Sequence, residues 1–145
     1  MTEKKKPIEV EVPIEYVLDS FALLAHLEDE KRGIKVTSIL KAARDSEDIT
    51  LYISAINLGE VYYITMRERG GKKAEEVLSL IKLLPIQIII PDMDLILKAA
   101  KLKAKYSAAY ADCFAAFLAI EKEASVITGD PEFKNMQKDV RVEWI

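Results

Sequence analysis

Ile14-Glu15-Tyr16-Val17-Leu18-Asp19-Ser20 is the stretch on which the fold of this chain turns. Its first five residues are β-branched or aromatic enough for a strand, and the Asp-Ser pair favours leaving that strand and capping a helix. Residues 21–28 then carry helical periodicity, so the stretch opens a βα unit. Working outward, the pattern predicts a helix over 35–43, an apolar strand over 49–53 and a long helix starting at Ser54, whose hydroxyl suits the N-cap, with Gly70 and Gly71 stopping it. An amphipathic helix over 74–84 follows, with Val77, Leu78, Leu80, Ile81 and Leu84 on its apolar side, then a strand over 86–90 closed by Pro91. Two more helices are expected over 92–105 and 110–122, a strand over 125–128 before Gly129-Asp130-Pro131, and a last strand over 140–144. Short, continuous apolar strands separated by helices indicate a parallel sheet covered on both faces, an α/β fold.

With 145 residues, half of them hydrophobic, the chain can bury one proper core without disulfides or a structural metal. A 31% charged content with a net charge of only -3 excludes a disordered tail or a histone-like binder. Any nucleic-acid contact has to come from a local basic patch. Arg67, Arg69, Lys72 and Lys73 form one such run, which also reads as an ordinary solvated helix end. Cys113 is the only cysteine and His26 the only histidine. That excludes an intramolecular disulfide, a CxxC redox pair, a zinc knuckle, the HExxH motif and any two-histidine acid/base pair. Cys113 follows Asp112 on a helix, points about 100° away from it and reads as a small core residue.

The N-terminus carries Lys4, Lys5 and Lys6, but Pro7 and the alternating Ile8-Glu9-Val10-Glu11-Val12 follow where a signal peptide would place an apolar core. A cytoplasmic protein is therefore expected, with residues 1–13 as an N-terminal extension, either disordered or an extra edge strand, and residues 14–145 as the domain. The apolar run over 83–90 is broken by Pro85 and Gln87 and falls far short of the ~20 residues a bilayer span needs, so no membrane partner is expected.

In a parallel α/β sheet, ligands bind beyond the carboxyl ends of the strands. Asp19 and Asp130 each stand at such an end, and parallel strands would bring them to one rim. Glu60, in Ile56-Asn57-Leu58-Gly59-Glu60, lies early in a helix that itself leaves a strand end. Asp112 is the one charge in the apolar stretch from Ala109 to Phe117, where a carboxylate is costly unless it is paired or coordinates a cation. Four hard oxygen donors without histidine or cysteine suit Mg²⁺ or Mn²⁺. Two such ions, ~4 Å apart, can activate a water and stabilise the leaving oxygen of a phosphodiester without any protein nucleophile. Taken singly, each acid has a structural reading as well: Asp19 as a helix cap, Asp112 as a first-turn acid favoured by the helix dipole, Asp130 as a turn residue before Pro131 and Glu60 as a solvated helix acid.

The segments Val17 to Leu24, Ser54 to Tyr63, Tyr110 to Leu118, and Ile127-Thr128-Gly129-Asp130-Pro131-Glu132-Phe133 together resemble a PIN domain of the VapC toxin type, over the chain from about Ile14 onward. The resemblance implies a PIN-like three-layer sandwich with a parallel sheet of about five strands. It also implies Mg²⁺ or Mn²⁺ dependence, endoribonuclease activity on RNA leaving a 5′-phosphate, inhibition by a small VapB-like antitoxin, and a homodimer. Carried over residue by residue, Asp19 and Asp112 would be direct metal ligands, Glu60 a ligand or water-orienting carboxylate, and Asp130 a more peripheral member. Ser20 and Thr128 would be supporting hydroxyls. The chain departs from the pattern at Ala109, where many relatives carry serine; Ser107 stands near and is a candidate cap for the helix.

Other functions fit less well. Asp19 as a phospho-acceptor would call for a second Asp two residues on, where the chain has Phe21, or a Lys at a later strand end, where it has Thr128-Gly129-Asp130. A catalytically silent PIN-like binding module would have lost acids that are present here. A PIN nuclease of RNA maturation or quality control keeps the chemistry and changes only the biology; the small size and lack of accessory domains favour the toxin.

Overall fold

The computed structural model describes residues 14–145, so the N-terminal extension expected over 1–13 lies outside the described residues. Five strands form one parallel sheet in the order β3-β2-β1-β4-β5, where β1 is Ile14–Leu18, β2 Ile49–Ser54, β3 Gln87–Ile89, β4 Ser125–Thr128 and β5 Val142–Trp144. Six helices connect and cover them: α1 Ser20–Leu27, α2 Gly33–Asp45, α3 Ala55–Arg69, α4 Gly71–Leu83, α5 Met93–Lys105 and α6 Tyr110–Glu121. A short 3₁₀ turn, Pro131–Met136, leaves β4. The α/β fold with its five-stranded parallel sheet, read from sequence, is the fold observed.

Alternation along the strands divides the core into two layers, because successive side chains leave a strand on opposite faces. Val17, Tyr52 and Val126 face α5 and α6, packing with Ala99, Phe114, Ala115 and Leu118. Leu18, Leu51 and Ile127 face the other way onto Ala22 of α1 and Val36 and Leu40 of α2. Ile53 joins Leu23, Val61, Val77 and Ile81, which bind α3 and α4 to the same face. With apolar layers on both faces, the strands are the continuous hydrophobic runs that a covered parallel sheet requires. Cys113 is fully buried within the first layer, as expected of a core residue.

Local chemistry starts the helices where the sequence signals them. Asp19, Ser54 and Asp92 are the N-caps of α1, α3 and α5, accepting hydrogen bonds from the N–H groups of Ala22, Ile56 and Leu95. At the α3–α4 junction the structure corrects the expectation that Gly70 and Gly71 both lie between helices. Gly70 alone makes the break, with φ of 90°, and Gly71 is already the first residue of α4. A single residue in the region that L side chains avoid suffices to turn the chain. Gly33 has another reason to be glycine, since a Cβ there would stand 2.2 Å from the carbonyl oxygen of Ala25, where α2 crosses α1. The edge strands are shorter than expected: β3 is confined to Gln87–Ile89 between Pro85 and Pro91, and β5 begins at Val142. A proline cannot donate to a ladder, and an edge strand has only one neighbour to extend it.

The register sets up the rim. Leu18 lies opposite Ile53 on one side and Ile127 on the other, so the residues that follow, Asp19, Ser54 and Thr128, come off the sheet side by side. The chain builds β2 and β3 to one side of β1 and then returns to build β4 on its other side. The carboxyl ends of β1 and β4 thus flank the point where strand order reverses, the crevice in which open α/β sheets hold ligands.

Candidate metal centre

Asp19 and Thr128 form the floor of that crevice. Asp19 is 1% exposed; its Oδ1 accepts from the Ala22 N–H at 2.8 Å and its Oδ2 accepts from the Thr128 hydroxyl. The same hydroxyl accepts from the Asp130 N–H at 2.9 Å, so one buried oxygen ties the end of β1 to the turn after β4. Asp130 in turn caps the 3₁₀ turn, its Oδ1 accepting from the Glu132 N–H at 2.9 Å. Ser20, beside Asp19, is the first residue of α1 and half-buried.

Asp112 comes in from the opposite side, in the first turn of α6. It is 6% exposed and its Oδ2 has no hydrogen-bond partner. Almost every neighbour of Asp112 on α6, including Cys113, Phe114, Ala115 and Ala116, belongs to the core, so the packing of the helix buries this carboxylate with them. Glu60, half-buried on α3, is held by Asn57, whose Nδ2 donates to Glu60 Oε1 at 3.1 Å and to the Ala111 carbonyl at 3.2 Å. Asn57 is completely buried and its Oδ1 has no partner. It joins α3 to α6 beside Asp112 and so brings Glu60 to the rim.

The four acids singled out from sequence therefore come together at the rim, and the charges of their neighbours act on Asp19 and Asp112. Burial raises the carboxyl of Asp19 from 3.8 to about 7, against the lowering effect of its bonds from Thr128 and Ala22, and the charges of Asp130 and Glu60 add to the rise. Burial likewise pushes Asp112 well above the usual carboxylate range, helped by the adjoining Glu132 carboxyl and the charges of Asp130 and Asp19. Carboxylates placed this way are stable only with protons or cations among them.

Two participants were not read from the sequence. Glu132 contributes a carboxylate oxygen that lies, with those of Asp112 and Asp130, in a group within 4.8 Å of one another. It stands two residues past Asp130 in an exposed turn, where the sequence alone does not set it apart from an ordinary helix-start acid. Asn57 is a lone amide on a helix, and the one signal in the sequence is its place three before Glu60, which puts both on one face. The structure also corrects the suggested cap of α6. Ser107 does not cap it; the N-cap is Ala109, which has no side chain able to do so, and the Ala109 N–H donates to Glu132 Oε2 at 3.1 Å.

The basic run stands apart from the acids. Arg67 and Arg69 occupy the last turn of α3, about 10 and about 14 Å further along the helix axis than Glu60 at ~1.5 Å per residue. The Arg67 guanidinium lies over the Tyr63 ring at 5.2 Å, Lys73 pairs with Glu76 at 3.6 Å, and Lys72 stands beside Lys73 in the first turn of α4.

The donor set consists of carboxylates, a hydroxyl and an amide, all hard oxygen atoms once Asn57 Oδ1 is included. His26 instead pairs with Thr37 at 2.6 Å between α1 and α2. An all-oxygen site with an orphaned, buried carboxylate oxygen fits a hard divalent cation, and it lacks the histidine and cysteine donors that most zinc sites use. Among the described residues, no helix is long and apolar enough to cross a membrane.

The sequence model of the PIN domain matches residues 16–139. Among solved structures, VapBC2 from Rickettsia felis, bound to a DNA fragment from its promoter, is similar with a TM-score of 0.70 and 20% identity over 90% of this chain and 98% of that chain. DNA-bound VapBC from Salmonella typhimurium is similar with a TM-score of 0.69 and 14% identity over 90% and 98% of the two chains. VapC20 from Mycobacterium tuberculosis, a toxin that cleaves the sarcin-ricin loop, is similar with a TM-score of 0.66 and 17% identity over 88% and 98%. At these identities the likeness is one of fold. No curated protein matches the chain by sequence.

Proposed function

The chain belongs to the PIN domain family, and from that premise we propose that it is a metal-dependent endoribonuclease of the VapC toxin type, hydrolysing RNA phosphodiester bonds. The observation that carries this reading is Asp112 Oδ2, buried and without a hydrogen-bond partner, on a side chain grouped with the carboxylates of Asp130 and Glu132. Such an atom is costly in a metal-free protein and is an asset in one that binds a hard cation.

Asp19 and Asp112 are the ligands in this account. Thr128 and the Ala22 N–H fix the Asp19 carboxylate so that it does not have to be organised when a cation arrives. Glu60, steadied by Asn57, stands where it can orient a water or complete the ligand set, and Asp130 acts from the periphery. A divalent cation held by these residues would polarise a water for attack and offset the charge of the phosphate. The absence of a histidine pair is then no obstacle, since no side chain has to serve as nucleophile or as a neutral-pH acid.

VapC20 is a toxin and two of the similar structures are VapBC complexes, which supports a small VapB-like antitoxin as the partner of this chain; a homodimer and a cytoplasmic location belong to the same proposal. Arg67, Arg69, Lys72 and Lys73 would meet RNA only along its backbone and away from the scissile bond.

Incubation of chelator-treated protein with single-stranded and hairpin RNAs tests the reading. Cleavage on adding Mg²⁺ or Mn²⁺, with 5′-phosphate ends and none with the chelator present, is the expected result. Equal cleavage with and without the chelator would refute the metal-dependent reading.

A further inference from the structure

Glu132 lies outside the set of acids that the family resemblance marks, yet it makes two distinct contacts at the crevice. Its Oε2 accepts from the Ala109 N–H at 3.1 Å, the first residue of the α6 cap, where no side-chain cap exists. One of its carboxylate oxygens also shares a group, all within 4.8 Å, with oxygens of Asp112 and Asp130. The backbone holds it there as well: its N–H donates to Asp130 Oδ1 at 2.9 Å, folding the two acids against one another across Pro131.

Crowding alone would not make this a site. The second observation is that Asp112, one member of the group and 6% exposed, keeps a buried Oδ2 that no N–H or O–H group donates to. A cap function explains one oxygen of Glu132 and does not explain why a third carboxylate is brought up to two others. An amide oxygen would satisfy the Ala109 N–H equally well, without the repulsion.

We infer that Glu132 is a further carboxylate of the cation site, anchored through Oε2 on the Ala109 N–H and shared with Asp112 and Asp130. This assignment rests on the metal-dependent reading above. Hard divalent cations take six or more oxygen donors, so an additional carboxylate completes a shell that protein residues otherwise fill sparsely. Its place at the N-terminus of α6 also suits a negative charge, because the helix dipole and free N–H groups favour anions there. Anchoring on the Ala109 N–H links the cation to the start of α6 and therefore to the position of Asp112.

Titration of the full chain with Mn²⁺ in the absence of RNA, following the free ion by its electron paramagnetic resonance signal, tests the assignment. Glu132→Gln keeps an oxygen acceptor for the Ala109 N–H and removes the charge. Glu132 is exposed, so the substitution leaves the core intact. The expected result is Mn²⁺ binding weakened by about 10-fold or more, with the melting temperature of the metal-free protein unchanged or higher. Wild-type Mn²⁺ affinity in Glu132→Gln would overturn the assignment and leave Glu132 as a helix cap. Asp112→Asn, titrated alongside, separates the two levels. Loss of binding in Asp112→Asn with none in Glu132→Gln refutes only the role of Glu132, whereas full binding in both refutes the metal-dependent reading itself.

Discussion

Asp112→Asn is expected to lower RNA cleavage by about 10³-fold or more while leaving the metal-free protein at least as stable as the wild type at neutral pH. The two effects have one cause. Asp112 is buried beside Asp130, Asp19 and Glu132, so its charge is held at a cost that only a cation offsets. Asparagine keeps the shape and removes the charge, which abolishes a ligand and relieves the repulsion together. The sign of the pH dependence follows. Asp19 titrates near 3.8 when unfolded and about 7 when folded, and Asp112 is shifted the same way. Metal-free, the folded state therefore retains protons that the unfolded state releases. The stability this confers is complete below about pH 4 and is lost as pH rises through about 7, by at most about 1.4 kcal/mol per pH unit per group. Thermal melts of the chelated protein between pH 5 and 8 should fall for the wild type and fall less steeply in Asp112→Asn, where Asp19 alone keeps a raised carboxyl. Undiminished cleavage by this variant would remove Asp112 from the site, and a lower melting temperature at neutral pH would show that its charge is not a burden.

Thr128→Val should be the most damaging change that touches no acid. Its hydroxyl is completely buried, donates to Asp19 Oδ2 and accepts from the Asp130 N–H. Valine fills the same space and leaves a buried carboxylate oxygen and a backbone N–H without partners. Unsatisfied groups of this kind cost about 1–3 kcal/mol each, so the loss should be about 2–4 kcal/mol in urea denaturation. Cleavage should fall about 10- to 100-fold through kcat, since the hydroxyl orients a ligand and does not meet the RNA. Thr128→Ser restores both bonds and should recover most of each loss. A Thr128→Val protein as stable and active as the wild type would mean that this hydroxyl does not organise the site.

Much of the fold and part of the site could be read before the structure. β1 and β4 lie where their apolar runs place them, and Asp19 and Asp130 lie at the rim because a residue that ends a parallel strand has nowhere else to go. Asp112 was legible as a charge that no buried helix keeps without a use. What escaped depended on contacts between distant segments. Glu132 meets Ala109 only because the turn after β4 folds over the start of α6, and nothing within the Asp130-Pro131-Glu132 sequence distinguishes that from an exposed helix start. A partial signal existed on the other side: α6 begins after Ala109, which has no capping side chain, so the N–H groups at the helix start are left for acceptors from elsewhere. Asn57 escaped for the same reason, since its bond to the Ala111 carbonyl spans two helices. The split role of the two glycines at 70 and 71 depended on one backbone angle, which no composition reveals.

The position of the cation is the most direct test of the account. Crystals of the wild-type protein grown with Mn²⁺, measured at a wavelength where manganese scatters anomalously, should show an anomalous peak in the crevice bounded by Asp19 and Asp112, with Asp112 Oδ2 among its ligands. A peak elsewhere on the molecule, or none at a concentration of Mn²⁺ that supports RNA cleavage, would contradict the assignment of this acidic crevice as the metal centre.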